Sequence, residues 1–220
     1  MSQVEYKESL PITKLLQRFD NYGVIVEEAS KQGYRARLTM DRACANVLNN
    51  AAGTSTVWDG HPLAYATHHV GNTGTTQSNV VSGALTESSL NAAQIALRKM
   101  VDHNGQEMAL MPRTLVVPVN LAKKAFELTA SQGSPESANR NSNFLNTLGL
   151  QVVVWELLTS TTQWLLLADK VFTRFRLLPS IAPTVEYIRR PETGNHEYQL
   201  QFDIAVGVVD YLGVEHSTGT

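Results

Sequence analysis

Three histidines lie close together at His61, His68 and His69, and imidazole is the side chain most used for metal ligation and proton transfer near neutral pH. A metal site needs three or four ligands held rigidly. This spacing fits no familiar ligand signature, and no acidic residue falls at helical spacing to complete a set. The histidines read as loop or surface residues, and no metal is expected. Asp169, Asp203 and Asp210 fall at or near expected strands and could imitate an acid–base carboxylate site. Their spacings demand no common cleft, so ion pairs or solvated strand ends are the expectation. The single cysteine, Cys44, reads as a small buried side chain of a helix. A reactive thiolate would need a cationic surrounding that Arg42 alone does not give. Gly-x-Ser-x-Gly is absent. Gly71-Asn72-Thr73-Gly74 is followed by no Lys-Ser/Thr pair and preceded by no strand, so it is no phosphate loop. The chain therefore offers no catalytic constellation and no cofactor site. The densest basic group is Arg174, Arg176, Arg189 and Arg190. On edge strands such residues discourage unwanted pairing; on an assembling subunit they pair with a neighbour's acids, and both readings stand.

Composition narrows the class. The 220 residues suit one large domain or two small ones. Charged residues are 17% of the chain, below the globular mean of about 25%, which suits a protein whose surface is spent on contacts. A net charge of −2 argues against a dedicated nucleic-acid reader, which carries a basic excess. One cysteine allows no intrachain disulfide. Met1 to Pro11 is too polar for a signal peptide, and no apolar run is long enough to span a membrane. A reducing cytoplasm is the expected place of synthesis.

The elements that would position these residues begin with a helix. Leu15, Phe19, Tyr22, Val26, Ala29, Gly33, Ala36, Met40, Ala43 and Val47 recur at alternating steps of four and three. That stripe predicts one helix over Ile12 to Asn50, with a bend or break at Gly23 or Gly33; a coiled coil is the competing reading. Residues 53 to 83 are rich in Gly, Thr, Ser and Asn. They predict an ordered excursion anchored by Trp58, Pro62, Leu63 and Tyr65, with a mobile tip near Gly71 to Ser78. A second helix starts at N-cap Thr86, carries the stripe Leu90, Ala93, Leu97 and Met100, and is capped by Gly105. A strand at Thr114 to Val117, a helix over Asn120 to Ala130 and a polar loop at 132 to 143 follow. Strands are expected at Leu150 to Trp155, Gln163 to Ala168, Val185 to Arg189 and Tyr198 to Val209.

Two motifs join these elements. The first helix ends in Ala45-Asn46-Val47-Leu48-Asn49-Asn50, and Trp58-Asp59-Gly60-His61-Pro62-Leu63-Ala64-Tyr65-Ala66-Thr67-His68 follows at once. Farther on stand Pro112-Arg113-Thr114-Leu115-Val116-Val117-Pro118, Leu148-Gly149-Leu150-Gln151-Val152-Val153-Val154 and Trp164-Leu165-Leu166-Leu167-Ala168-Asp169. In this order, over most of the chain, they resemble the major capsid proteins of tailed phages with the Hong Kong 97-type fold, above all the Mu-like prophage major head subunits.

The resemblance implies an α+β fold. A long spine helix and long strands make a peripheral domain, 1–52 with 170–211. An axial domain, 53–169 with 212–220, places helices on a central sheet. It implies a structural head subunit and no enzyme. Partners would be further copies in pentamers and hexamers of an icosahedral shell, and packaged double-stranded DNA held without sequence specificity. A scaffold or protease would be a further partner, and a membrane would not. The virion capsid is the expected location, after assembly in the bacterial host cytoplasm. Trp58, Asp59, Gly60, Pro62, Leu63, His68, Arg189 and Arg190 become the expected assembly contacts. Family members carry an N-terminal arm and an extended hairpin before the spine helix. About ten residues precede the helix here, with Val4-Glu5-Tyr6-Lys7 as the stub of the returning strand, so a truncated or divergent form is expected. An encapsulin-like compartment shell, or an α+β enzyme with an unrecognised site, are the alternatives.

Overall fold

Gly23 decides where the first helical stripe breaks. In the computed structural model, which describes residues 1–19, 23–71, 73–134, 136 and 141–220, the expected single helix is two. Ile12 belongs instead to strand β1 (Val4–Ile12); α1 (Lys14–Phe19) and α2 (Val24–Asn49) follow. Gly23 has φ +69° immediately before α2, a left-handed conformation that ends a right-handed helix and that glycine adopts without a Cβ penalty. Gly33 lies inside α2 without interrupting it. Tyr22 lies outside the described residues. The stripe is also buried unevenly: Ala36 and Val47 turn inward, whereas Leu15, Phe19 and Val26 stay 69%, 66% and 71% exposed.

The chain divides into two units. Met1–Cys44 with Arg176–Gly207 make the first, and Ala45–Phe175 with Val208–Thr220 the second. In the first, strands β7 (Phe175–Arg189) and β8 (His196–Val208) join β1 in a sheet of order β1-β8-β7. The register of β1 runs antiparallel from Val4 opposite Ile204 to Ile12 opposite His196. Alternation along β8 turns Leu200, Phe202 and Ile204 onto Ala36 of α2, with Tyr6, Met40 and Ala43 packed around them. The Tyr6 and Phe202 rings stack at 5.1 Å. Gln32 takes the core place expected of Gly33. Fully buried, it donates from Nε2 to the carbonyls of Glu8 and Tyr198 at 3.3 Å each, fastening helix to two adjacent strands. β7 is far longer than the expected Val185 to Arg189 and is exposed along most of its length.

In the second unit the sheet order is β5-β4-β6-β9, formed by β4 (Pro112–Val117), β5 (Gln151–Val154), β6 (Trp164–Ala168) and β9 (Val214–Ser217). β4 and β5 are parallel; the other pairs are antiparallel. Helix α3 (Glu87–Lys99) packs on β4, β6 and β9 through Leu90, Ala93 and Leu97. Its start is a closed capping box: Thr86 Oγ1 accepts from the Ser89 amide at 3.1 Å, and Ser89 Oγ accepts from the Thr86 amide at 2.9 Å. The expected cap at Gly105 is corrected. The helix stops at Met100, and Gly105 closes a separate turn by donating to the Asp102 carbonyl at 3.0 Å. Helix α4 (Ala122–Ala130) and the short α5 (Phe144–Thr147) complete the unit. Neither α5 nor β9 was expected. No helix is long and apolar enough to cross a membrane among the described residues.

Candidate assembly loop

The end of α2 hands the chain to the loop through fixed contacts. The Asn49 side chain donates to the Leu157 carbonyl at 3.1 Å and accepts from the Thr159 amide at 3.0 Å. Ala64 then donates to the Ala51 carbonyl at 2.8 Å and Leu63 to that of Ser55 at 2.7 Å, so the excursion folds back on its own start. Thr56 and Pro62 face each other across this neck, and Leu63 is fully buried. The turn between needs Gly60: its φ is +80°, and its amide reaches the Val57 carbonyl at 3.0 Å.

Asp59 organises the turn. One carboxylate oxygen accepts from the His61 amide at 3.0 Å, and the other meets His68 Nδ1 at 2.8 Å. Both side chains of this pair are withdrawn from solvent. Burial alone would raise the Asp59 carboxyl, but the bonds from His68 and from the His61 and His69 backbone more than offset it and hold the group below its ordinary value. His68 Nε2 faces the Leu63 carbonyl at 3.2 Å, and its ring stacks on Tyr211 at 3.9 Å. Tyr211, also fully buried, donates to the His69 carbonyl and accepts from Gln77, both at 2.9 Å. Its phenol is pushed up, chiefly by burial.

Trp58 stands at the rim. Its amide donates to the Val209 carbonyl at 3.1 Å, and Nε1 donates to Asp210 Oδ1 at 3.2 Å. Its ring meets the His103 ring edge-on at 4.9 Å, and His103 Nε2 lies 3.1 Å from Asp210 Oδ2. Trp58 is thus held on three sides and yet 47% exposed.

The stretch expected as a mobile tip forms a small hairpin, β2 (His68–His69) with β3 (Thr76–Gln77); Asn72 lies outside the described residues. Gln77 fastens the hairpin by exchanging two bonds with the Val101 backbone, at 2.9 and 3.0 Å. Gly71 comes so near that a Cβ there would fall 2.1 Å from the His103 carbonyl.

Chemically this arrangement is closed. A catalytic histidine needs its second nitrogen free for a nucleophile or substrate, and that of His68 is spent on a backbone carbonyl. His61 stacks on Tyr65 at 4.3 Å and leans toward His69 at 5.5 Å. No group of three or more His, Cys, Asp or Glu side chains placed to hold a metal occurs among the described residues. Asp169 accepts from the Val171 amide, Asp210 holds His103 and Trp58, and Asp203 lies on β8 of the first unit.

Of the eight expected contact residues, Trp58, Asp59, Gly60, Pro62, Leu63 and His68 are gathered here. Arg189 and Arg190 lie in the first unit. Arg190 is already engaged, its Nε 2.7 Å from Glu197 of its own hairpin, while Arg189 is exposed. Sequence reasoning missed Tyr211, His103, Gln77 and Asn79. Asn79, fully buried, donates to the Leu63 carbonyl at 2.6 Å and accepts from the Tyr65 amide at 3.0 Å. No local pattern marks them, because their partners are distant in sequence.

With a long helix on a three-stranded sheet in one unit and helices on a four-stranded sheet in the other, the fold is that of capsid-type shell proteins. It is similar to the capsid of bacteriophage JBD30, with TM-score 0.61 and 14% identity over 72% of this chain and 75% of that one. The capsid of cyanophage P-SCSP1u gives TM-score 0.60 and 14% identity over 97% and 71%. The SrpI encapsulin of Synechococcus elongatus gives TM-score 0.51 and 13% identity over 98% and 72%. The chain belongs to the phage capsid protein family, whose model matches residues 2–216. No curated protein matches it in sequence. It is a structural subunit of a virion shell built from copies of itself, and not an enzyme.

Proposed function

We propose that the chain is the major head subunit of a Mu-like prophage, assembled in the bacterial host cytoplasm, with a scaffold or protease as further partners. Its shell encloses double-stranded DNA without reading sequence, a role that the near-balanced charge of −2 suits. The unit of Met1–Cys44 and Arg176–Gly207 takes the peripheral position and the other the axial one. Val4–Ile12 serves as the stub of the strand that, in family members with an extended hairpin, returns from it to the sheet.

Within this reading the loop from Trp58 to His68 is an inter-subunit contact. One observation carries it: Trp58 is fixed by Asp210 and His103 while nearly half of it remains open to solvent. A preorganised aromatic loses little entropy on docking, and tryptophan is enriched at interface hot spots. Asp59, Gly60, Pro62, Leu63 and His68 shape the mount, and Arg189 is a separate contact on the other unit. Trp58→Ala tests the assignment. The variant should keep its circular dichroism and unfolding midpoint within about 1 kcal/mol of stability, yet need a roughly tenfold or higher concentration to form particles by light scattering. Assembly at the wild-type threshold would rule the loop out as a contact.

A further inference from the structure

Two apolar surfaces of the first unit lie uncovered. One is helical: Leu15 and Phe19, a turn apart on α1, are 69% and 66% exposed, and α1 buries no residue of its own. The other is a row on β7. Ile181, Val185 and Tyr187 are 39%, 51% and 56% exposed, and as alternate positions of one strand they share a face with Pro183. The Tyr187 ring meets those of His196 and Tyr198 at 4.8 and 5.3 Å. Tyr198 lies on the same face of β8 as Leu200 and Phe202, which form the core under α2. The sheet face that α2 covers on β8 therefore continues, uncovered, across β7.

β7 is an outer strand, but Pro179 and Pro183 have the same parity and no amide to donate. They block extension of the sheet at that edge, so a partner must come onto the face. Resting on the shell reading above, we infer that the β7 row of one copy is covered by α1 of a second copy. Side chains four apart on a helix are about 6 Å apart along its axis, and alternate residues of a strand about 6.6 Å, so Leu15 and Phe19 fit between successive members of the row. Residues 177–185 carry no charge, which suits an apolar helix face. The contact joins different surfaces on the two copies, so it repeats around a ring, whereas row against row would stop at a dimer. Each surface offers roughly 400 Å², about 800 Å² in all, below the ~1,200 Å² of a stable pair. It holds when every copy uses both surfaces at once.

The test uses Phe19→Cys and Val185→Cys, each in a Cys44→Ser chain, purified apart, mixed, assembled and oxidised. The mixed disulfide dimer should exceed either same-variant dimer by about tenfold or more, as expected for thiols held at high effective concentration. Phe19→Asp should keep the wild-type unfolding midpoint and lose particles. Particles without the mixed dimer, or with the Val185→Cys self-dimer dominant, would overturn the contact and leave the shell reading standing. A wild-type chain that stays monomeric in light scattering at every concentration would overturn both.

Discussion

Glu215 gives the most quantitative expectation. It sits on the outer strand β9 opposite Leu166, is 1% exposed, and neither carboxyl oxygen has a partner among the described residues. Burial raises its carboxyl from 4.5 to about 8. Between those values the unfolded chain releases the proton while the folded chain keeps it, so stability falls as pH rises. The slope approaches about 1.4 kcal/mol per pH unit, giving a loss of about 3 kcal/mol by pH 7 and about 5 kcal/mol above pH 8. Glu215→Gln keeps the shape and removes the ionisation. Urea unfolding of the two chains, followed by tryptophan fluorescence from pH 4 to 9 at a concentration where both are monomeric, should coincide in acid. The variant should gain about 3 kcal/mol at neutral pH. Neighbouring His216, held down to about 4 by burial, costs stability as pH falls below 6.5; it is common to both chains and cancels in their difference. Curves that stay parallel across the range would show that the Glu215 carboxyl is solvated or paired, and the reasoning would fail.

Other substitutions probe the loop and the helices. Asp59→Asn removes the charge facing buried His68 and should lower stability at neutral pH by about 2–4 kcal/mol. Because the Asp59 carboxyl is held below its ordinary value, the deficit should shrink as pH falls through the acid range, read from thermal unfolding; a pH-independent deficit would mean that the Asp59 charge contributes nothing to its bond with His68. Gly71→Ala should cost about 2 kcal/mol or more, since the added Cβ meets the His103 carbonyl, whereas Gly23→Ala, with nothing within 4 Å, should cost only about 1 kcal/mol for its positive φ. Equal midpoints for these two in chemical unfolding would contradict the close approach at Gly71. Thr86→Ala should lose about 1 kcal/mol from the α3 cap, and Thr86→Ser most of it back; no difference between them would mean that the box contributes nothing.

The helical stripe was legible because a period of 3.6 is written in the side chains, and α3 was legible because Thr86 and the stripe from Leu90 announce it. What stayed hidden has physical causes. Gly23 and Gly33 both invited a break in the stripe, and periodicity alone could not choose between them; the left-handed backbone at Gly23 takes it and leaves Leu15 and Phe19 on a separate helix. β7 runs through Pro179 and Pro183, residues unsuited to an inner strand, and only its place at the sheet edge makes them tolerable. β9 reads Val-Glu-His-Ser, a polar segment by any propensity, and is buried because β6 and α3 pack on it. In the loop, Trp58 to His68 stood out by its resemblance to capsid subunits. Tyr211 and Asn79, which lock it, are visible only once the chain has folded back on itself.

The pairing of β1 with β8 also sets a clock. Val4 finds Ile204 two hundred residues later, and β6 finds β9 only when Val214–Ser217 have been made. At about 5–20 residues per second, translation of the interval takes about 10–40 s, during which Tyr6 and the inner face of α2 have no sheet to cover them. Neither sheet is complete before β8 and β9 emerge, and contacts so distant in sequence slow folding. Chains made side by side would expose these faces to one another over that interval. Their encounter with one another, before either sheet is complete, competes with the route to the particle.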